Sequence, residues 1–145
     1  MTTVMTREAR EQFLSDLHVG VLSIANGDSG TVAVPVWYDY APDRGVRVIT
    51  SEASAKGRAL AAAGRYSLTV QDEDLPYKYV SVEGPVTDVR TVEPDGDLLP
   101  MSVRYLGDDL GARYAKEWAA TSDAYRMYTM HPERWASSDM TALFG

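Results

Sequence analysis

Residues 31–60 read TVAVPVWYDYAPDRGVRVITSEASAKGRAL. Two arms rich in β-branched and aromatic residues flank Pro42, Asp43 and Gly45, the pattern of a β-hairpin. The second arm gives way to a helix beginning near Ser54. Thr50, Ser51, Ser54 and Lys56 fall at that junction. Hydroxyls, the free N–H groups of a first helical turn and one ammonium make an anion site there. A capped helix with an exposed lysine explains the same residues, so the rest of the chain must decide. In the first arm, Val32, Val34, Val36 and Tyr38 alternate with Ala33, Pro35, Trp37 and Asp39. Pro35 removes a ladder N–H, which places this strand at an edge, at a bulge, or where something other than a strand meets its backbone.

Upstream, TREAREQFLSDL (6–17) sets Ala9, Phe13, Leu14 and Leu17 on one helical face, with Thr6 as N-cap. His18, alone at the helix–strand junction, reads as structural. Val19–Ala25 is an apolar strand joined through NGDSG to the strand starting at Thr31. Downstream, residues 54–64 form an alanine-rich helix closed by Gly64. Arg65–Gln71 alternates as a half-buried strand, and DEDLPYK is an acidic surface loop. Tyr79–Val89, with Gly84-Pro85 at its middle, is a long strand with a bulge or corner. Residues 103–120 read as one helix weakened by Gly107 and Gly111, with Leu106, Leu110, Tyr114 and Trp118 at fourfold spacing. Tyr125–Met130 is the last strand, HPERW a turn, and SSDMTALFG an apolar tail suited to docking on a second subunit. The expected fold is therefore mainly β with helices: a six-stranded, mostly antiparallel small barrel with helices at its ends.

The 145 residues suit one domain, 1–145. A net charge of −7 argues against a general nucleic-acid or anionic-membrane surface. The absence of cysteine removes disulfides, thiolate nucleophiles and zinc–sulfur sites. The first residues lack a signal-peptide core and no apolar run has membrane length, so a cytoplasmic location is expected. His18 and His131 cannot be paired as metal ligands, and no metal is expected. No HExxH, GxSxG, Walker or Rossmann pattern occurs. No side chain stands out as nucleophile or general base, so any enzyme here relies on a bound cofactor for the reactive atom.

VPVWYDY, GVRVITSEASAKGRAL, RYSLTVQD and YVSVEGPV, taken in order and spacing, resemble the pyridoxamine-5′-phosphate-oxidase-like flavin and deazaflavin oxidoreductases, whose fold is an FMN-binding split β-barrel. The resemblance runs from the first helix through HPERW. It implies a homodimer with cofactor sites at the interface, each lined by both chains. Carried over by position, it places Val34, Pro35, Val36, Trp37 and Tyr38 along the cofactor ring. Ile49 and Thr50 would lie near the ribityl-phosphate, Lys56 on the phosphate with Ser51 and Ser54 beside it, and Tyr79 against the cofactor. Trp37, Tyr38 and Trp135 would shape the substrate side. The chain departs from the family where the phosphate-binding arginine is replaced by Ala55; Arg58 would compensate. Asp39 stands where true oxidases of this kind keep a substrate-phosphate lysine, which argues against vitamin B6 oxidation. A single Lys56 suits the phosphodiester of coenzyme F420 better than the terminal phosphate of FMN, with Arg58, Arg65 and Lys78 available to its acidic tail. The resemblance thus implies an F420-dependent oxidoreductase moving hydride to or from a small organic substrate. The alternatives are an FMN enzyme or a cofactor carrier without turnover.

Overall fold

Strand alternation and glycine punctuation build an antiparallel sheet of eight strands in the computed structural model, which describes residues 2–144. Met1 and Gly145, the outer ends of the two terminal stretches read above, lie outside the described residues. Helix α1 (Arg7–Ser15) is capped by Thr6, whose side chain accepts the Ala9 N–H at 3.1 Å, and it buries Phe13 and Leu14. Strands β1 (Gly20–Asn26) and β2 (Ser29–Val36) form the first hairpin. After Trp37 and Tyr38 come β3 (Asp39–Ala41) and β4 (Gly45–Ser51), a second hairpin turned at Gly45, where φ is +103°. Helix α2 (Ala55–Ala63) is followed by β5 (Arg65–Asp72) and the long β6 (Lys78–Thr91). A π-helical turn (Pro94–Leu98) leads into α3 (Leu99–Leu106) and α4 (Asp108–Ala119). Strands β7 (Tyr125–Met130) and β8 (Arg134–Asp139) and the short α5 (Thr141–Phe144) complete the chain.

The strand order is β2-β1-β5-β6-β7-β4-β3, with β8 also on β6. Strand β6 serves two half-sheets. Its first part pairs with β5 and β8, and from Val86 onward it pairs with β7. The turn between halves falls at Gly84-Pro85, followed by a register shift between Val86 and Asp88, the bulge that the sequence signalled. A Cβ on Gly84 would collide with the His131 carbonyl, so the close crossing of chains there requires glycine. Inside the bend, the buried Tyr66 hydroxyl lies 3.1 Å from both the Val46 and Tyr128 carbonyls and ties the halves together. The main core, including Leu22, Ile24, Val48, Leu68 and Val80, fills the space between them.

The sheet differs from the sequence reading in four respects. It has eight strands rather than six, and it is not closed into a barrel. The arm spanning 31–40 breaks at Trp37 into β2 and β3, which lie at opposite ends of the strand order. HPERW is a turn only as far as Glu133, because Arg134 already pairs with Glu83 to begin β8. The helix expected over 103–120 is two helices. Gly107, at φ +83°, stops α3, and Gly111 brings α4 so close that a Cβ would meet the Val103 backbone. The glycines therefore pack helix on helix within the chain. Among the described residues no helix is long and apolar enough to cross a membrane.

Candidate functional site at the open edge of the sheet

Only Trp37 and Tyr38 join β2 to β3. Three peptide steps from Val36 to Asp39 span at most about 11 Å, so the two free edges of the sheet are held near each other without pairing. A cavity of about 290 Å³ opens at this split. Pro35, Val36 and Trp37 form one wall, and Ile49 of β4 with Lys56 of α2 another. Val19, Met101 and Trp118 complete the lining.

Alternation sends consecutive residues to opposite sides at the crossing. Tyr38 points inward. Its ring is fully buried, its hydroxyl donates to the Leu14 carbonyl at 2.6 Å, and burial pushes that phenol well above its ordinary value. Gly20 makes room for the ring, since a Cβ there would press on Tyr38 and Leu68. Trp37 points outward and stacks on Tyr105 of α3, with centroids 5.0 Å apart and planes within 5°. The Tyr105 hydroxyl donates to the His18 carbonyl at 2.5 Å and accepts the Tyr38 N–H at 3.1 Å. Arg104 donates to the Tyr38 carbonyl at 3.1 Å and to the Asp16 carbonyl at 2.9 Å. Side chains from α3 thus satisfy the peptide groups that the broken ladder leaves exposed.

The junction of β4 and α2 is equally specific. Ser54 caps α2, accepting the Gly57 N–H at 3.0 Å while donating to the Ser51 carbonyl at 2.6 Å. A Cβ on Gly57 would overlap the Ser51 carbonyl and the Glu52 backbone, so glycine lets the first turn sit directly on the strand end. That contact positions Lys56 beside Ile49 in the cavity. Lys56 has no carboxylate partner among the described residues. Thr50 is buried, with its hydroxyl 3.3 Å from that of Ser54, and the Ser51 hydroxyl accepts the Ala53 N–H at 3.3 Å.

Of the residues singled out from sequence, the structure brings Pro35, Val36, Trp37, Ile49 and Lys56 around one cavity; Thr50, Ser51 and Ser54 sit at the β4–α2 junction without lining it, and Thr50 is buried on the face of Val46 and Val48. Val34 packs on the core beneath. Four of the assigned residues lie apart from this cavity within the single chain. The Tyr38 side chain belongs to the core and offers a substrate no surface. Trp135 lies on β8, edge-on to Tyr40 and under the Arg10 guanidinium, away from the cavity. Tyr79 lines a separate depression between β6 and the chain end with Lys78 and Met140. Arg58 follows Lys56 by two positions and so leaves the opposite side of the helix; it donates to the Ala53 carbonyl and lines a groove with Val86 and Val89. Arg65, offered as a partner for an acidic tail, is already paired with Glu83 and Glu133. The Asp39 carboxylate is gripped by Arg47 at 2.8 and 2.9 Å and by Arg44 at 2.9 Å. His18 is structural, with Nε2 2.9 Å from the Phe13 carbonyl.

Sequence reasoning missed Val19, Met101 and Tyr105. Nothing local marks Met101 or Tyr105 as facing a site. Trp118 was visible as part of a helical stripe but not as a cavity wall.

The profile of the pyridoxamine 5′-phosphate oxidase family matches residues 6–139. The chain belongs to that family. Among solved structures, an F420 reductase is similar over 87% of this chain and 94% of its own, with 21% identity and a TM-score of 0.68. A conserved hypothetical protein from Mycobacterium tuberculosis is similar over 99% of this chain and 91% of its own, with 20% identity and a TM-score of 0.76. An FAD-binding protein from Mesorhizobium loti is similar over 94% of this chain and 95% of its own, at 19% identity and a TM-score of 0.62. At these identities the likeness is one of fold. Among curated proteins none matches significantly.

Proposed function

We propose that this member of the family is an F420-dependent oxidoreductase that transfers hydride between the deazaflavin and a small organic substrate in the cytoplasm. The observation that carries this reading is the convergence of an unpaired strand edge, a stacked tryptophan and an unpartnered lysine on one cavity. Strand β2 pairs only with β1, so half of its peptide groups have no strand partner and are free for the polar edge of a heterocycle. Pro35 withholds a donor at that edge, and Val36 and Ile49 supply apolar walls. Lys56, with the Ser51 hydroxyl nearby, would hold the phosphodiester, while the buried Thr50 hydroxyl braces the Ser54 cap. Ser54 would serve by capping the helix, because its hydroxyl is engaged on both sides. The bound cofactor supplies the hydride chemistry; the chain binds, orients and excludes water.

One positive charge fits a phosphodiester monoanion better than the dianion of FMN, which favours F420 over the second reading, an FMN enzyme of the same family. The name of the F420 reductase relative supports the same choice. At about 290 Å³ the cavity of one chain falls at the lower limit for ligand pockets, roughly 300–1,000 Å³. It runs into a second depression that shares Val19 and Pro35 and includes Val21 and Thr69. Val19 is 56% exposed and Val21 41%. We assign this face to a second copy of the chain, whose Tyr79 or Trp135 would reach the site only from across such an interface.

Titration with F420 and with FMN, followed by absorbance and calorimetry, tests the proposal. F420 should bind more tightly, and Lys56→Ala should weaken it by about 10- to 100-fold, the worth of a charged hydrogen bond. Failure of both cofactors to bind would overturn it. Light scattering should show a dimer that Val21→Lys dissociates. Oxidation of reduced cofactor by quinones or enones separates an enzyme from a carrier.

A further inference from the structure

The aromatic row that begins at Trp37 continues through Tyr114 and Trp118 to Tyr125, with successive centroids 5.3, 5.7 and 5.7 Å apart. At its outer end it bounds a second depression of about 360 Å³, lined by Tyr114, Glu117, Trp118, Thr121 and Tyr125. The Tyr114 and Trp118 planes meet at 67°, and those of Trp118 and Tyr125 at 87°. Rings set this steeply form a corner rather than a stack. Trp118 and Tyr125 pack on the buried cluster of Val92, Leu98 and Met127, so two of the walls are fixed by the core.

Three features of this corner favour positive charge. Aromatic faces carry the negative lobe of the ring quadrupole. Glu117 has no cationic partner among the described residues. The depression also sits at the C-terminus of the 12-residue α4, the negative end of its dipole. The nearby cations do not fill it. Arg113 and Lys116 are exposed on α4 and, like Lys56, are not part of the lining, and Arg126 is held by Glu52 and the Asp123 and Tyr125 carbonyls. We infer that this corner binds a small organic cation of the quaternary or methylated ammonium class, beside the Lys56 cavity, with which it shares Trp118.

Calorimetric titration of the whole chain with choline, against its uncharged carbon isostere 3,3-dimethylbutan-1-ol, tests the inference. Choline should bind with a dissociation constant on the order of 1 mM, and the isostere at least about tenfold more weakly, since cation–π attraction requires the charge. Glu117→Gln, at an exposed position, should weaken choline about three- to tenfold by removing the nearest negative charge. Tyr125→Leu should weaken it about tenfold, while Tyr125→Phe, which keeps the ring face, should bind nearly as the parent does. Equal binding of choline and its isostere, choline affinity unchanged in both Glu117→Gln and Tyr125→Leu, or no choline binding at about 50 mM would overturn it.

Discussion

The chain passes between its two half-sheets four times, and two of these crossings, the bend within β6 and the step from β2 to β3, are finished in opposite ways. At Gly84-Pro85 a continuous strand bends, its neighbours stay paired, and the Tyr66 hydroxyl joins the halves from inside. At Trp37-Tyr38 the strand breaks, the edges part, and side chains of α3 take up the loose peptide groups. The first crossing keeps its ladder closed, and the second opens into a cavity between the parted edges. Stability and binding capacity are thus assigned to different corners of one sheet.

The sharpest way to break the closed crossing is Gly84→Ala. The added Cβ meets backbone that cannot move without parting β6 from the turn at His131, and the cost should exceed about 4 kcal/mol. Chemical denaturation would read this as loss of the cooperative transition. A smaller effect is expected from Asp97→Asn, which loosens the helical segment that seals the open crossing. The Asp97 side chain is 4% exposed; it accepts from Arg90 at 2.6 and 2.8 Å and from the Glu93 N–H at 2.7 Å. Because Arg90 remains partly solvated, the loss at pH 7 should be about 1–3 kcal/mol. The hydrogen bonds from Arg90 hold the Asp97 carboxyl below its ordinary value. Its stabilisation is therefore complete above the ordinary carboxylate range of about pH 4 and fades as pH falls through the lowered value. Denaturation midpoints of parent and variant should converge in acid.

Tyr66→Phe sharpens the comparison from the closed side. Two buried carbonyls lose a donor, for about 1–2 kcal/mol. Burial raises the Tyr66 phenol well above its ordinary value, so the unfolded chain ionises first and the parent loses stability as pH rises past about 10. The variant should lack that part of the alkaline slope. The smallest effect, about 0.5–1 kcal/mol, is expected from Tyr105→Phe, which keeps the stack on Trp37 but frees the Tyr38 N–H. Faster amide exchange at Tyr38, with unchanged exchange in β5, would place the loosening at the open crossing alone.

Much of this was legible from local text. Alternation fixed the strand segments, Thr6 and Ser54 announced their helices, and Gly84-Pro85 marked the bend, because each reports a choice made within a few residues. The break at Trp37 was not legible. Residues 31–41 alternate without interruption, and only the helix arriving from residues 99–106 to supply Tyr105 and Arg104 makes parting the edges tolerable. The same distance in sequence hid the start of β8, whose partner is the first half of β6.

The sequence by itself determined six of the strand-forming segments, where glycine must stand, and that a lysine follows a capped helix start, since propensity, periodicity and capping act within a turn or two. Only the tertiary structure decided that β2 and β3 end at opposite edges and that Tyr38 turns into the core while Trp37 stacks on Tyr105. Those outcomes depend on which distant groups remain to satisfy exposed peptides and to fill the core, and no local pattern encodes them.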